Sequence, residues 1–223
     1  LDWGKTWTQS KGAPSGMTPS EWDPWQTLAA DPIDGKTFYA LSNNLEKDGA
    51  ASVYKSTDGG ANWTRAGQIK GTWNQRLWTE HHLKTMPGKS GVLWMSLRDP
   101  YTKISDEPAQ GLFFSQDGGK NWLGVDNFDV AHSFAFGAPA PEKTNPAMYV
   151  AGQMGSKTGI FRSDDATEKL DNIAGATWIQ IWDHAIDTDA QAVLRGLSMI
   201  GADRQQYGRV YTGSVGTGRS MYY

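Results

Sequence analysis

The sequence contains no cysteine, no long apolar run and no excess of either charge sign. Without cysteine, disulfides, zinc-thiolate sites and thiol nucleophiles are excluded. No segment approaches the roughly 20 apolar residues that span a bilayer, and residues 1–4 show neither the basic nor the apolar region of a signal peptide. The 21 basic and 24 acidic residues are interspersed, so we expect neither nucleic acid nor a membrane surface as a partner.

Tryptophan and glycine are the abundant residues, with eleven Trp and 26 Gly among 223 residues. Many glycines and aromatics in a chain of low hydropathy favour short strands joined by tight turns. The length is sufficient for one sizeable core, so residues 1–223 are predicted to form a single domain.

An eight-residue repeat supports this prediction. Residues 56–63 and 115–122 share the pattern S-x-D-G-G-x-N-W. A third copy, at residues 2–7, keeps the Asp, Gly and Trp spacing, and a fourth is split, beginning at residues 163–165 and ending at residues 175–178. This is the Asp-box pattern, and we call these four segments the box turns.

Each residue type in the repeat has a physical role in a turn. The aspartate can accept hydrogen bonds from backbone N–H groups, the paired glycines supply positive φ angles, and the tryptophan can cover the gap between neighbouring sheets. The whole box recurs from repeat to repeat, whereas a catalytic carboxylate need occur only once. We therefore interpret Asp58 and Asp117 as structural.

A second repeated element lies between the boxes and consists of short strands with central aromatic residues at Tyr39, Trp94, Tyr149 and Tyr211. Their spacings of 55, 55 and 62 residues fit one four-stranded propeller blade each. The predicted fold is an all-β propeller of about four antiparallel blades, each with strands A to D and a box turn between C and D. The blades cover about residues 26–66, 81–124, 132–181 and 194–223, and residues 1–10 form a blade-completing D strand.

Two arrangements remain open for residues 1–10. In the favoured one the chain was cut from a longer protein and is part of a larger seven-bladed propeller. In the other, four blades close a ring in which residues 3–10 complete the C-terminal blade.

From Asp31 onward the sequence resembles the C-terminal propeller of family 74 glycoside hydrolases, the xyloglucan-cleaving endo-β-1,4-glucanases and their reducing-end-specific relatives. Box turns alone also occur in sialidases and other proteins. The resemblance therefore rests on further segments, which are residues 36–42, 86–89 with 93–94, 136–137 with 146–147, 161–165 and, most specifically, 207–213.

The resemblance implies a secreted, extracellular enzyme that needs no cofactor and acts on xyloglucan or a related β-1,4-glucan. Its partners would be the glucan and the missing N-terminal part of the same protein. The family inverts with two aspartates, one on each of two propellers. Neither matches a residue here, so no residue of this chain is predicted to be catalytic. The alternative is a non-catalytic propeller that binds carbohydrate or protein as an extracellular scaffold.

The antiparallel strand order predicts which face would bind sugar. A–B and C–D turns fall on one face, and B–C and D–A connections on the other. Five tryptophans lie in or beside D–A connections, where indoles can stack on sugar rings. With neighbouring carboxylates they form the candidate substrate-binding set, which is Trp22, Trp25, Trp73, Trp78, Trp182, Asp23, Glu80 and Asp183. The alternative is that these tryptophans pack under their own loops.

Histidines are weak candidates for chemistry. His81, His82 and His132 lie at predicted strand starts without a third ligand at metal-binding spacing. We interpret them as structural and predict no metal site.

Overall fold

A computed structural model describes residues 3–14, 27–45, 51–69, 81–97, 111–183, 197–214 and 221–222. In this part of the chain the strands form four antiparallel sheets, three with four strands and one with three. Strands are paired in chain order within each sheet. The all-β propeller architecture predicted from the repeats is therefore confirmed.

The strands follow the predicted A to D order in blades 1 to 3, and the three described strands of blade 4 follow the order A to C. Blade 1 contains β1 (Leu28–Ala30), β2 (Phe38–Leu45), β3 (Ala51–Ser56) and β4 (Thr64–Ile69). Blade 2 contains β5 (His81–Thr85), β6 (Leu93–Leu97), β7 (Leu112–Ser115) and β8 (Leu123–Gly124). Blade 3 contains β9 (Val130–Phe136), β10 (Met148–Met154), β11 (Lys157–Ser163) and β12 (Ile179–Asp183), and blade 4 contains β13 (Leu197–Ala202), β14 (Val210–Ser214) and β15 (Met221–Tyr222).

The core lies between neighbouring blades, because the middle strands carry apolar residues on both faces. Along β6, Leu93 and Met95 join a buried cluster shared with blade 1, whereas Trp94 joins the cluster shared with blade 3. The Trp94 ring stacks on Phe114 at a centroid distance of 5.1 Å and meets Phe136 edge-on at 6.4 Å. The contact with Phe136 helps to pack blade 2 against blade 3, whereas the stack on Phe114 lies within blade 2.

Helical structure is almost absent from the described residues. It is limited to a short 3-10 segment, Leu170–Gly175, inside the split box turn. No helix in the described ranges has the length and apolar character needed to cross a membrane.

Candidate functional site

Hydrogen bonds across the turns establish the two faces of the blades. On one face, the A–B turns meet the box turns, since Gly59 donates its N–H to Lys36 O (2.8 Å) and Gly118 to Gly91 O (2.9 Å). On the other face, the Asp129 carboxylate, in the D–A connection that follows blade 2, accepts the N–H of Gly155 at 2.7 Å in the B–C turn of blade 3. The predicted assignment of connections to faces is thus confirmed for these described turns.

Both complete box turns use their aspartate as a hydrogen-bond acceptor. Asp58 accepts the backbone N–H of Asn62 at 2.9 Å and its side-chain amide at 2.7 Å, and Ser56 donates its hydroxyl at 2.8 Å. These bonds lower the pKa of Asp58 to about 2, the Asn62 side-chain bond having the largest effect. Its acceptor positions are occupied by the turn, which supports the structural interpretation.

The second box turn repeats this arrangement. Asp117 accepts the backbone N–H of Asn121 at 2.9 Å and that of Lys120 at 3.0 Å, and Ser115 donates its hydroxyl at 2.9 Å. Burial raises the pKa of Asp117, but the bonds from Asn121, Ser115 and Lys120 outweigh burial and hold it below its ordinary value. The carboxylate is therefore charged at neutral pH and committed to the turn.

The split box turn keeps the same bonding across its insertion. Thr177, which occupies the position of Asn62, donates its N–H to Asp165 at 2.8 Å, and Ser163 donates its hydroxyl at 3.0 Å. The Lys169 ammonium lies 2.7 Å from Asp165 Oδ2. Lys169 thus takes the position that the Asn62 side chain holds in blade 1, and the insertion preserves the turn.

The face opposite the box turns carries the described part of the candidate sugar-binding set. Strand β12 extends through Asp183, so Trp182 and Asp183 lie at the end of the D strand and not in the connection that follows it. Trp182 pairs with Ile160 of β11 and packs, partly buried, against the cluster between blades 3 and 4. Asp183 is also partly buried. Because successive strand residues point to opposite sides of the sheet, the two side chains lie on opposite sides of β12, near this face.

The other candidates lie outside the described residues. They are Trp22, Asp23, Trp25, Trp73, Trp78 and Glu80.

The predicted structural histidines lie on inner strands. His81 and His82 are buried in β5, and His132 is partly buried in β9. Within the described ranges, no group of three or more His, Asp or Glu side chains is placed to hold a metal ion.

Sequence reasoning missed an inter-blade connection on the box-turn face. Asp31 accepts the hydroxyl of Tyr39 at 3.1 Å, and it also accepts the Ser90 hydroxyl and the Gly91 N–H, both at 2.9 Å, from the next blade. Burial raises the pKa of Asp31, but the hydrogen bonds from the N–H groups of Asp34, Ile33 and Gly91 outweigh burial. The resulting pKa is about 2. Its only sequence signal is an Asp-Pro pair after strand A, which is typical of any turn.

Comparison with known proteins places these features in context. No family model matches the chain. It is 32% identical over 226 residues to a protein of Neosartorya fischeri named as a probable oligoxyloglucan-reducing end-specific xyloglucanase. That match covers 97% of this chain and 22% of the relative. A xyloglucanase of Acetivibrio thermocellus is 31% identical over 228 residues, covering 95% of this chain and 22% of the relative.

Solved structures share the fold of this chain. The chain superposes on the GH74 xyloglucanase of Xanthomonas campestris with a TM-score of 0.62 at 24% identity, covering 96% of this chain and 24% of the other. A GH74 enzyme of Niastella koreensis gives a TM-score of 0.59 at 25% identity, covering 84% and 23%. The chain spans about a fifth of the length of the curated relatives it matches, 22% in both cases. Over nearly its whole length, the chain is therefore similar to part of family 74 glycoside hydrolases.

Proposed function

We propose that this chain provides part of the substrate-binding surface of a secreted glycoside hydrolase that acts on xyloglucan or a related β-1,4-glucan. The observation that carries the proposal is the position of Trp182 and Asp183 at the end of β12, in a chain whose relatives are named as xyloglucanases. Both residues lie near the face where B–C and D–A connections meet.

The chemistry of each of these two side chains suits a glucan. An indole offers a flat apolar surface to the C–H face of a pyranose ring, and a carboxylate accepts hydrogen bonds from ring hydroxyls. Trp182 is only partly buried, which leaves part of the residue accessible to a ligand. The proposed surface continues over Trp22, Trp25, Trp73 and Trp78, with Asp23 and Glu80 beside them.

Binding without cleavage is the expected behaviour of the chain by itself. Inverting hydrolysis needs an acid and a base roughly 6.5–9.5 Å apart, and no residue here is assigned to either role. We expect purified protein to bind xyloglucan oligosaccharides and to release no new reducing ends from them.

Isothermal titration calorimetry with a xyloglucan heptasaccharide tests the proposal. Replacing Trp182 by Ala removes a stacking contact of roughly 0.5–1.5 kcal/mol, which weakens binding about two- to tenfold. D183N, which keeps the side-chain shape, should also weaken binding but leave the melting temperature nearly unchanged.

Two controls complete this experiment. Trp122→Ala should lower the melting temperature and leave the affinity unchanged, because Trp122 lies in a box turn on the other face. A mannan oligosaccharide of similar length should bind more weakly than the xyloglucan fragment. If the parent protein does not bind the heptasaccharide at millimolar concentration, the proposed surface is wrong and the scaffold alternative is favoured.

A further inference from the structure

Lys84 brings a cationic group into the space between blades 2 and 3. Its ammonium, carried by β5, donates to Phe134 O of β9 and lies 5.0 Å from the centroid of the Phe134 ring. We call the space lined by Lys84, Trp94, Ser96 and Phe134 the seam. Lys84 is partly buried, and a charge that has lost part of its water is costly unless an opposite charge or hydrogen-bond acceptors replace that water.

The charged group that acts on Lys84 does not compensate its charge. Among the described residues this group is the Arg204 guanidinium, which is also positive. Burial, and to a smaller extent Arg204, lower the pKa of Lys84 to about 8, so the ammonium is still mostly charged at neutral pH. An ammonium has three N–H donors, and the acceptor that the described structure shows for it is the Phe134 carbonyl oxygen. Lys84 can therefore donate to a further acceptor in the seam.

Two further donors lie on the same side of blade 2. Lys84 is directly opposite Trp94 in the antiparallel pair of β5 and β6, and Ser96 follows two residues later on β6, so all three side chains point to one side of the sheet. The Trp94 ring meets Phe136 of blade 3 edge-on, which shows that this side faces the seam. Trp94 and Ser96 are both 0% exposed. In the described structure neither Trp94 Nε1 nor Ser96 Oγ has a hydrogen-bond partner.

We propose that the seam binds a halide anion, with the Lys84 ammonium, the Ser96 hydroxyl and the Trp94 indole N–H as its donors. The inference goes beyond the proposed sugar-binding function and is independent of it. A halide accepts hydrogen bonds from any direction and supplies the negative charge that Lys84 lacks. Lys84 and Ser96 are diagonal neighbours across the strand pair, with Cα atoms about 7–8 Å apart, so one anion can contact both side chains. Because the lining residues of β6 are fully buried, a single atom fits this position better than a larger oxyanion.

Thermal melts in two salts test the proposal. For a dissociation constant of about 10 mM, about 300 mM sodium chloride should raise the melting temperature at pH 7 by about 4–8 °C relative to sodium gluconate of equal ionic strength. Lys84→Met should abolish this difference, and S96A and W94F should each reduce it by about half. Lys55→Met is the matched control and should keep the whole difference, because Lys55 also lies over an aromatic ring, 5.6 Å from that of Tyr39, but outside the seam.

The pH dependence of the chloride effect gives a second readout. The effect should be present at pH 7, where Lys84 is mostly charged, and should be lost by about pH 10, as the ammonium releases its proton. The other titratable or charged groups near this position are Arg204 of blade 4, His82, two residues before Lys84 in β5, and His132, two residues before Phe134 in β9. Measuring Lys84→Met over the same pH range separates their contribution from that of Lys84.

Crystals soaked in sodium bromide locate the anion directly. We expect an anomalous difference peak within about 3.5 Å of both Lys84 Nζ and Ser96 Oγ. Density at this position without an anomalous signal overturns the proposal, because it identifies the occupant as water. A chloride effect of equal size in the parent protein and in Lys84→Met also overturns it, as does the absence of any difference between chloride and gluconate. If Lys84→Met does not fold, an undiminished chloride effect in both S96A and W94F has the same meaning.

Discussion

The box tryptophans offer a matched pair for measuring inter-blade packing. Trp122 and Trp7 make the same local bond, indole N–H to the carbonyl three residues earlier, at 3.0 and 2.9 Å. Trp122 also packs, partly buried, on the cluster between blades 1 and 2, whereas Trp7 is 89% exposed in this chain. Replacing each by Ala therefore separates packing from the local bond.

The expected losses in the free energy of unfolding differ because Trp122 buries apolar area that Trp7 leaves exposed. If Trp122 buries about 100 Å² of apolar surface, roughly half of what a tryptophan can bury, the loss is about 2.5 kcal/mol at about 25 cal/mol per Å². Loss of the shared hydrogen bond adds about 1 kcal/mol to the destabilisation of both variants. Trp122→Ala should then lower the free energy of unfolding by about 3.5 kcal/mol, and Trp7→Ala by about 1 kcal/mol or less.

Urea unfolding followed by far-ultraviolet circular dichroism measures both values without relying on tryptophan emission. The melting temperature of the Trp122 variant should fall further than that of the Trp7 variant by roughly 5–10 °C. Equal losses in the two variants would mean that packing between blades adds nothing to the local bond.

Three further predictions concern charged groups. Burial and the nearby Arg204 lower the pKa of Lys84 to about 8, and its ammonium donates to Phe134 O. The unfolded chain holds this proton up to a higher pH than the folded chain does. The free energy of unfolding of the parent protein, measured by urea titration, should therefore rise by about 2 kcal/mol between pH 8 and 10 relative to that of Lys84→Met. Lys169→Met should destabilise the split box turn by about 0.5–1 kcal/mol, and Lys169→Arg should restore part of the loss in thermal melts. Burial raises the pKa of Asp165, but the bonds from Lys169, the Thr177 N–H and Ser163 outweigh burial and hold the pKa below its ordinary value. The stabilisation that this carboxylate contributes is therefore full above about pH 4. Acid titration should show that the stabilisation decreases below that pH.

The sequence predicts the blades well because their signals are local and repeated. The box turn depends on residues within eight positions, and the Asp58 bonds to Ser56 and Asn62 lie inside that window. Of the four periodic central aromatics, Tyr39, Trp94 and Tyr149 are buried, as expected for strands that are covered on both sides, whereas Tyr211 is 43% exposed.

Contacts between blades are harder to predict. Asp31 lies 60 residues from Gly91, to which it is bonded, and nothing in the spacing of either residue indicates the other. Lys169 could not be assigned to the box from the pattern, because an ammonium there replaces an amide. The candidate sugar-binding set depends on long connections whose tryptophans follow no repeat, and only Trp182 and Asp183 of that set lie among the described residues.

The glucan is proposed to bind on the face opposite the box turns. Protein labelled with 5-fluorotryptophan has eleven fluorine probes, one for each tryptophan, and single Trp→Phe variants assign their resonances. On addition of a xyloglucan heptasaccharide, we expect shifts at Trp182 and at members of the set Trp22, Trp25, Trp73 and Trp78, with the box-turn resonances of Trp7, Trp63, Trp122 and Trp178 unchanged. Shifts confined to the box-turn tryptophans, or none at all at saturating oligosaccharide, would contradict the claim.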